Sequence, residues 1–233
     1  MNKKVLGTLV LGLSIGAVLL PQAAQAADRE ANTGVGIGFS NDDPNTIIPG
    51  PYDEALSLIN KPTAFKFGTE NEASALSSVY YQQVAGKQYI AVYEDRDDKD
   101  QTNWKLNAKL SPLVSTTDAT KKLEATMTMN SANISTFSLD DQRDAETGKL
   151  PNTIEALPAL TKYTEEKVKG VTKVTLKAGE NGSSDILVGT KPGKKGFASE
   201  IRNVQLAVTA GQKEETNGKQ FTGTVSWSLE DTI

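Results

Sequence analysis

Beyond residue 60 the chain alternates between apolar and polar side chains, one residue at a time. Leu123, Ala125, Met127 and Met129 interleave with Glu124, Thr126, Thr128 and Asn130, while Val204, Leu206 and Val208 interleave with polar neighbours such as Asn203, Gln205 and Thr209. The last segment is the most regular. Phe221, Gly223, Val225, Trp227 and Leu229 fall on one side, and Thr222, Thr224, Ser226, Ser228 and Glu230 on the other. Successive side chains of a strand point to opposite faces, so a period of two gives one face to a core and one to solvent. Tyr89–Glu94, Trp104–Leu110 and Val171–Ala178 are rich in β-branched and aromatic residues and are predicted as further strands. Gly, Asn and Asp turns separate these runs. The fold class is therefore all-β, an antiparallel β-sandwich or barrel-like domain with long surface loops.

Helical spacing is scarce. Two minor short helices are predicted, at Tyr52–Asn60 and Thr161–Lys169. The stretch Ser138–Lys162 is polar, holds Pro151 and Pro158, and is predicted as a long surface excursion. No repeat of 20–50 residues is visible, which argues against a solenoid. Residues 27–60 are rich in Gly, Asn, Asp and Pro. In them Gly34, Gly36 and Gly38 alternate with Val35, Ile37 and Phe39 as a first strand, and Asn41–Pro51 is predicted as loop. The glycines lack the following helix of a dinucleotide site and carry no weight as one.

The chain opens differently. Lys3 and Lys4 precede an uncharged apolar run from Val5 to Leu20, Pro21 breaks the run, and Ala24-Gln25-Ala26 follows. A charged start, a short apolar stretch and a small-residue site make a secretory signal peptide, predicted to be cut between Ala26 and Ala27. The run is short against the roughly 20 residues of a membrane-spanning helix. The organisation read from the sequence is thus a signal peptide at 1–26, a Gly/Asn/Pro-rich segment at 27–60 leading into the domain, and the main domain at 61–233.

Charge and missing residue types narrow the chemistry. The chain carries 25 Lys and Arg against 29 Asp and Glu. Losing Lys3 and Lys4 with the signal leaves 23 against 29, a balance of −6. That argues against nucleic acid and against an anionic membrane surface, both of which are held by cationic side chains. There is no cysteine and no histidine. A Ser–His–Asp triad, a cysteine nucleophile, a His-ligated zinc and an imidazole base are all excluded. The cluster Glu94-Asp95-Arg96-Asp97-Asp98-Lys99-Asp100 lacks the glycine and terminal glutamate spacing of an EF-hand, so it reads as a salt-bridged, solvated loop. No carboxylate pair stands out as a hydrolase centre. The expectation is a non-enzymatic protein with no metal and no cofactor. Leu150-Pro151-Asn152-Thr153 resembles the start of a sortase signal, but lies mid-chain with Ile154 and Glu155 after it. Any surface retention is expected to be non-covalent.

Both tryptophans of the chain sit in the same tripeptide, Trp104-Lys105-Leu106 and Trp227-Ser228-Leu229, each on a predicted strand. With Tyr89–Arg96 before the first, Pro62–Gly68 upstream, Leu123–Met127 in the middle, and Asn203–Val208 and Phe221–Leu229 at the close, the chain resembles the WxL family of low-GC Gram-positive bacteria. The resemblance runs from about Phe39 to the end. It departs at Phe221, where the family usually has Tyr, and at Ile233, where a proline is common. Trp104, Leu106, Trp227 and Leu229 are the family-motif residues, serving either as core or as direct contacts, and Asp95 and Arg96 are supporting motif residues.

The resemblance implies a secreted protein held non-covalently at the cell surface or cell wall, with peptidoglycan or another wall glycan as ligand. It also implies other WxL proteins and a membrane-anchored protein as partners. A structural subunit retained by docking on that membrane-anchored partner, or an adhesin for host extracellular matrix, are the alternative functions. If the signal is cut as predicted, intact-mass measurement of the exported protein will give a chain beginning at Ala27.

Overall fold

The computed structural model describes residues 29–36, 45–48, 56–69, 71, 74–83, 86–151 and 154–232. Ala26 and Ala27 of the predicted cleavage site lie outside the described residues, as do Ile37, Gly38 and Phe39. Among the described residues, sixteen strands form two eight-stranded sheets. The first sheet holds β1 (Arg29–Gly36), β4 (Ala64–Lys66), β7 (Asn103–Leu110), β8 (Leu113–Ser115), β9 (Lys122–Leu123), β12 (Val168–Gly170), β14 (Ser184–Thr190) and β16 (Phe221–Thr232). Its order is β12-β14-β7-β16-β1-β4, with β8 beside β16 and β9 beside β8. The second sheet holds β2 (Asn45–Ile47), β3 (Leu56–Pro62), β5 (Ser78–Tyr81), β6 (Gln88–Glu94), β10 (Ala125–Phe137), β11 (Thr161–Lys162), β13 (Val174–Lys177) and β15 (Lys195–Val208). Its order is β11-β10-β15-β6-β3-β2, with β13 beside β10 and β5 beside β15. All pairings are antiparallel except β1 with β4.

The period-two segments lie where their pattern places them. In β16, Phe221, Val225, Trp227 and Leu229 are buried, while Thr222 and Glu230 are exposed. In β10, Ala125, Met127 and Met129 are buried, with half-buried threonines between them. These faces join Leu58, Ile90 and Val92 of the second sheet and Leu106 and Leu110 of the first in one core cluster.

Neither predicted helix is seen among the described residues: residues 52–55 of the first lie outside them and its remainder is strand, and the second is two short strand pieces joined by a turn. Over Leu56–Asn60 every residue is buried, and the segment is β3, paired with β6. Leu56 and Leu58 face the main core while Ile59 faces a second apolar cluster, so the strand is covered on both sides and shows no alternation. Thr161–Lys162 pairs with Thr136 and Ser135 of β10, and Val168–Gly170 pairs with β14. Of Thr161–Lys169 only Val168 is buried, which leaves a helix no apolar stripe to dock by. Inside the predicted loop Asn41–Pro51, β2 pairs with the end of β3. Helix is confined, among the described residues, to α1 (Lys213–Thr216) and a 3-10 turn at Asp140–Gln142.

The excursion after β10 is more than surface. Leu139, Leu150 and Ile154 are buried with Ile59, Ala91, Tyr93, Phe137 and Ala198, and Leu157 and Leu160 pack against them. It therefore caps one end of the second sheet's outer face.

Two glycines sit opposite aromatic rings. Gly189 of β14 is the cross-strand partner of Trp104, and a Cβ there would lie 2.2 Å from the indole. Gly196 of β15 lies between Phe137 and Tyr93 on its two neighbouring strands, and a Cβ there would lie 2.4 Å from the Phe137 ring. A ring occupies the volume a side chain would otherwise fill, so any larger residue overpacks the site. Gly189→Ala is expected to cost about 1–3 kcal/mol in urea unfolding. Gly182→Ala, in a turn with nothing within 4 Å of the new methyl, should leave the midpoint nearly unchanged.

Candidate functional site

The two W-x-L tripeptides are interior. Trp104, Leu106 and Trp227 have no exposed surface and Leu229 has almost none. Leu106 and Leu229 face each other across the β7–β16 ladder. Trp104 packs over Gly189 and lies 6.3 Å from the Phe197 ring of the opposite sheet. Its Nε1 is buried with no hydrogen-bond partner among the described residues. Trp227 lies 6.5 Å from Phe65 and donates its Nε1–H to Thr33 Oγ1 at 2.6 Å. The Thr33 hydroxyl in turn donates to the Pro62 carbonyl at 2.6 Å. Neither indole offers a face to a ligand.

Asp95 and Arg96 belong to an ion-pair network at one end of the sandwich. The Arg96 guanidinium donates from Nε and Nη2 to the two oxygens of Glu94, at 2.8 and 2.6 Å. Its Nη1 donates to Thr102 Oγ1 at 2.9 Å and to Asp231 Oδ1 at 2.5 Å. Glu94 is fully buried at the end of β6 and Asp231 lies near the end of β16, so one guanidinium joins the two sheets. The hydrogen bonds to Glu94 raise the Arg96 pKa above its ordinary value. Asp95 accepts from Arg143 Nη2 at 2.5 Å, and Lys194 Nζ lies 3.8 Å from it and 3.0 Å from Asp97. Arg143 also donates to Asp140 and to the Gly148 carbonyl, tying down the excursion. Among the described residues no group of three or more carboxylates is placed to hold a metal. The acidic run is structural, and its charges are largely matched.

The surface offers a different site. The exposed large apolar side chains among the described residues are Leu76, Val79 and Tyr81, at 76, 48 and 65% exposure, all in or beside β5. Register places Tyr81 next to Gln205 of β15, Gln205 next to Thr128 of β10, and Thr128 next to Thr175 of β13. The neighbouring row is Val79, Ala207, Thr126 and Lys177. Alternation puts both rows on the outer face, since Tyr80, Leu206, Met127 and Leu176 between them pack inward. Four strands at about 4.8 Å spacing span roughly 14 Å. This is the half of the outer face that the excursion leaves bare. Behind β5 a cavity opens between Leu76, Ser78 and Tyr80 on one wall and Leu123, Val208 and Phe221 on the other.

The model of the WxL domain, a surface cell wall-binding domain, matches residues 37–232. The chain belongs to the WxL family. No curated protein and no solved structure matches it. Membership makes this a cell-wall-binding protein of the cell surface. In this WxL domain the residues that spell the family name fill the core, so the naming motif and the exposed surface are different sets of side chains. Tyr81, Gln205, Thr128 and Thr175 were missed from sequence. They come from four separate strands, and only the ladder register brings them together.

The buried Glu94 gives a direct test of the network. Removing its partner leaves an uncompensated charge, so Arg96→Ala is expected to cost about 3 kcal/mol in urea unfolding. Lys105→Ala removes an ion pair with Asp185 in which both side chains are about 40% exposed, and is expected to shift stability by less than ~0.5 kcal/mol.

Proposed function

We propose that this WxL protein is secreted by its signal peptide from a Gram-positive cell and holds to the wall non-covalently, without catalysis. In this reading its ligand is a peptidoglycan glycan strand, received on the bare half of the second sheet's outer face. One observation carries it: Tyr81 is an exposed ring in register with the amide of Gln205 and the hydroxyls of Thr128 and Thr175. Sugars present apolar C–H faces and a dense ring of hydroxyls. An aromatic side chain stacks on the former, while amide and hydroxyl groups exchange hydrogen bonds with the latter. Apart from Lys177 the two rows are uncharged on a net acidic protein, which suits a neutral polymer better than a charged one. The buried tryptophans make no such contact, so Trp227→Ala would report on folding rather than on binding.

The exposed apolar side chains of Leu76 and Val79 favour a second reading, in which the protein is a subunit docked on a membrane-anchored partner. Sedimentation with washed, protein-free sacculi separates the two. The wild type is expected to co-sediment, and Tyr81→Ala to weaken binding roughly tenfold, equal to about 1.4 kcal/mol, with an unchanged circular dichroism spectrum. Wild type that stays in solution yet is retained on whole cells would replace the glycan reading with the docking one.

A further inference from the structure

The strand β1 occupies an unusual place. It is first in chain order, yet it lies inside the first sheet with β16 on one side and β4 on the other. Its register with β16 runs unbroken from Arg29 opposite Leu229 to Gly36 opposite Thr222, and Gly34–Gly36 pair in parallel with Ala64–Lys66. It also fills a hole in the core. Thr33 and Val35 are buried, and Thr33 supplies the acceptor for the Trp227 indole and a donor for the Pro62 carbonyl. With β1 withdrawn, β16 and β4 would both present open ladder edges, and the Trp227 N–H would be buried without a partner. The family match begins at residue 37, directly after β1 ends. The matched residues include β16 and β4, which form the slot, while β1 lies outside the match.

We propose that β1 is an exchangeable strand, and that residues 29–36 of one molecule fill the β16–β4 slot of a second copy of this chain. The occupant follows from fit, because the segment that satisfies this slot within one molecule makes the same contacts when another molecule supplies it. In sequence β1 comes before every other described strand and is followed next by β2, so exchange leaves the slot contacts intact. Its hold on the slot combines an unbroken backbone ladder with two buried side chains. Of its side chains whose burial is described, Thr33 and Val35 are buried and Ala31 is half-buried. Strand addition of this kind draws its affinity from main-chain hydrogen bonds and its specificity from alternate side chains. The inference concerns assembly and holds whichever wall component the outer face receives.

The absence of cysteine makes the test clean, since introduced thiols have no competitors. Asn32 and Ser226 are register partners across β1 and β16. Chains carrying Asn32→Cys alone and Ser226→Cys alone are unfolded together, refolded and oxidised, and the 32–226 disulfide-linked peptide is sought by mass spectrometry. A chain carrying both substitutions reports closure within one molecule. The expected result is closure in the double variant, and a 32–226 link in the mixture at twice the chain mass, rising with protein concentration. Closure in the double variant with no such link in the mixture overturns the exchange. Failure of the double variant to close overturns it as well, because β1 would then not occupy the slot in this register.

Discussion

Trp227, Thr33 and Pro62 are linked by two hydrogen bonds of 2.6 Å that run from β16 through β1 to β3. The first two strands belong to one sheet and the third to the other, so this relay crosses the core. Enclosing a tryptophan costs less when its N–H finds an acceptor; Trp227 finds one in a threonine hydroxyl that itself donates to a carbonyl, whereas the enclosed Trp104 finds none among the described residues. The surrounding packing depends on that satisfaction. Phe65 lies against the indole, and Leu106 and Leu229 face each other across the neighbouring ladder. Four residues further along β16, Arg96 does a related task with charges, holding Asp231 of one sheet to Glu94 of the other.

Much of this was legible in the sequence because period-two alternation and β-branched or aromatic enrichment are local signals. β6, β7, β10, β15 and β16 all lie on segments whose pattern identifies them, and the two W-x-L tripeptides pointed to the family that the domain match shows. β3 was misread as helix because burial on both faces erases alternation, and an unbroken apolar run fits either element. The partners of Asp95 and Arg96 were only half visible. Glu94 is adjacent, but Arg143 and Asp231 are distant in sequence and arrive by topology. The candidate binding face was not legible for the same reason. Tyr81 sits in a four-residue strand with little pattern of its own, and its importance appears only when β15 lays Gln205 beside it.

The fold divides labour between the two ends of one sheet face. At one end the excursion after β10 covers Tyr93, Phe137 and Ala198 with Leu139, Leu150 and Ile154, and Arg143 anchors it to Asp95. At the other end the same sheet stands bare, with threonine, glutamine and tyrosine in rows. The covered end adds a second apolar cluster to the sheet, while the uncovered end carries polar side chains that pack on no other layer among the described residues.

The antiparallel register of β1 and β16 also has a mechanical meaning. Arg29 lies beside Leu229, so tension applied between residues 29 and 232 of one molecule loads the ladder at a single end and peels it rung by rung. A strand entering from a second molecule is pulled instead from its Gly36 end, through residues 37–44, while the acceptor is held from the far end of β16. The two strands are then drawn past each other, and every rung bears load at once. The same hydrogen bonds that unzip easily within one molecule would resist shear between two.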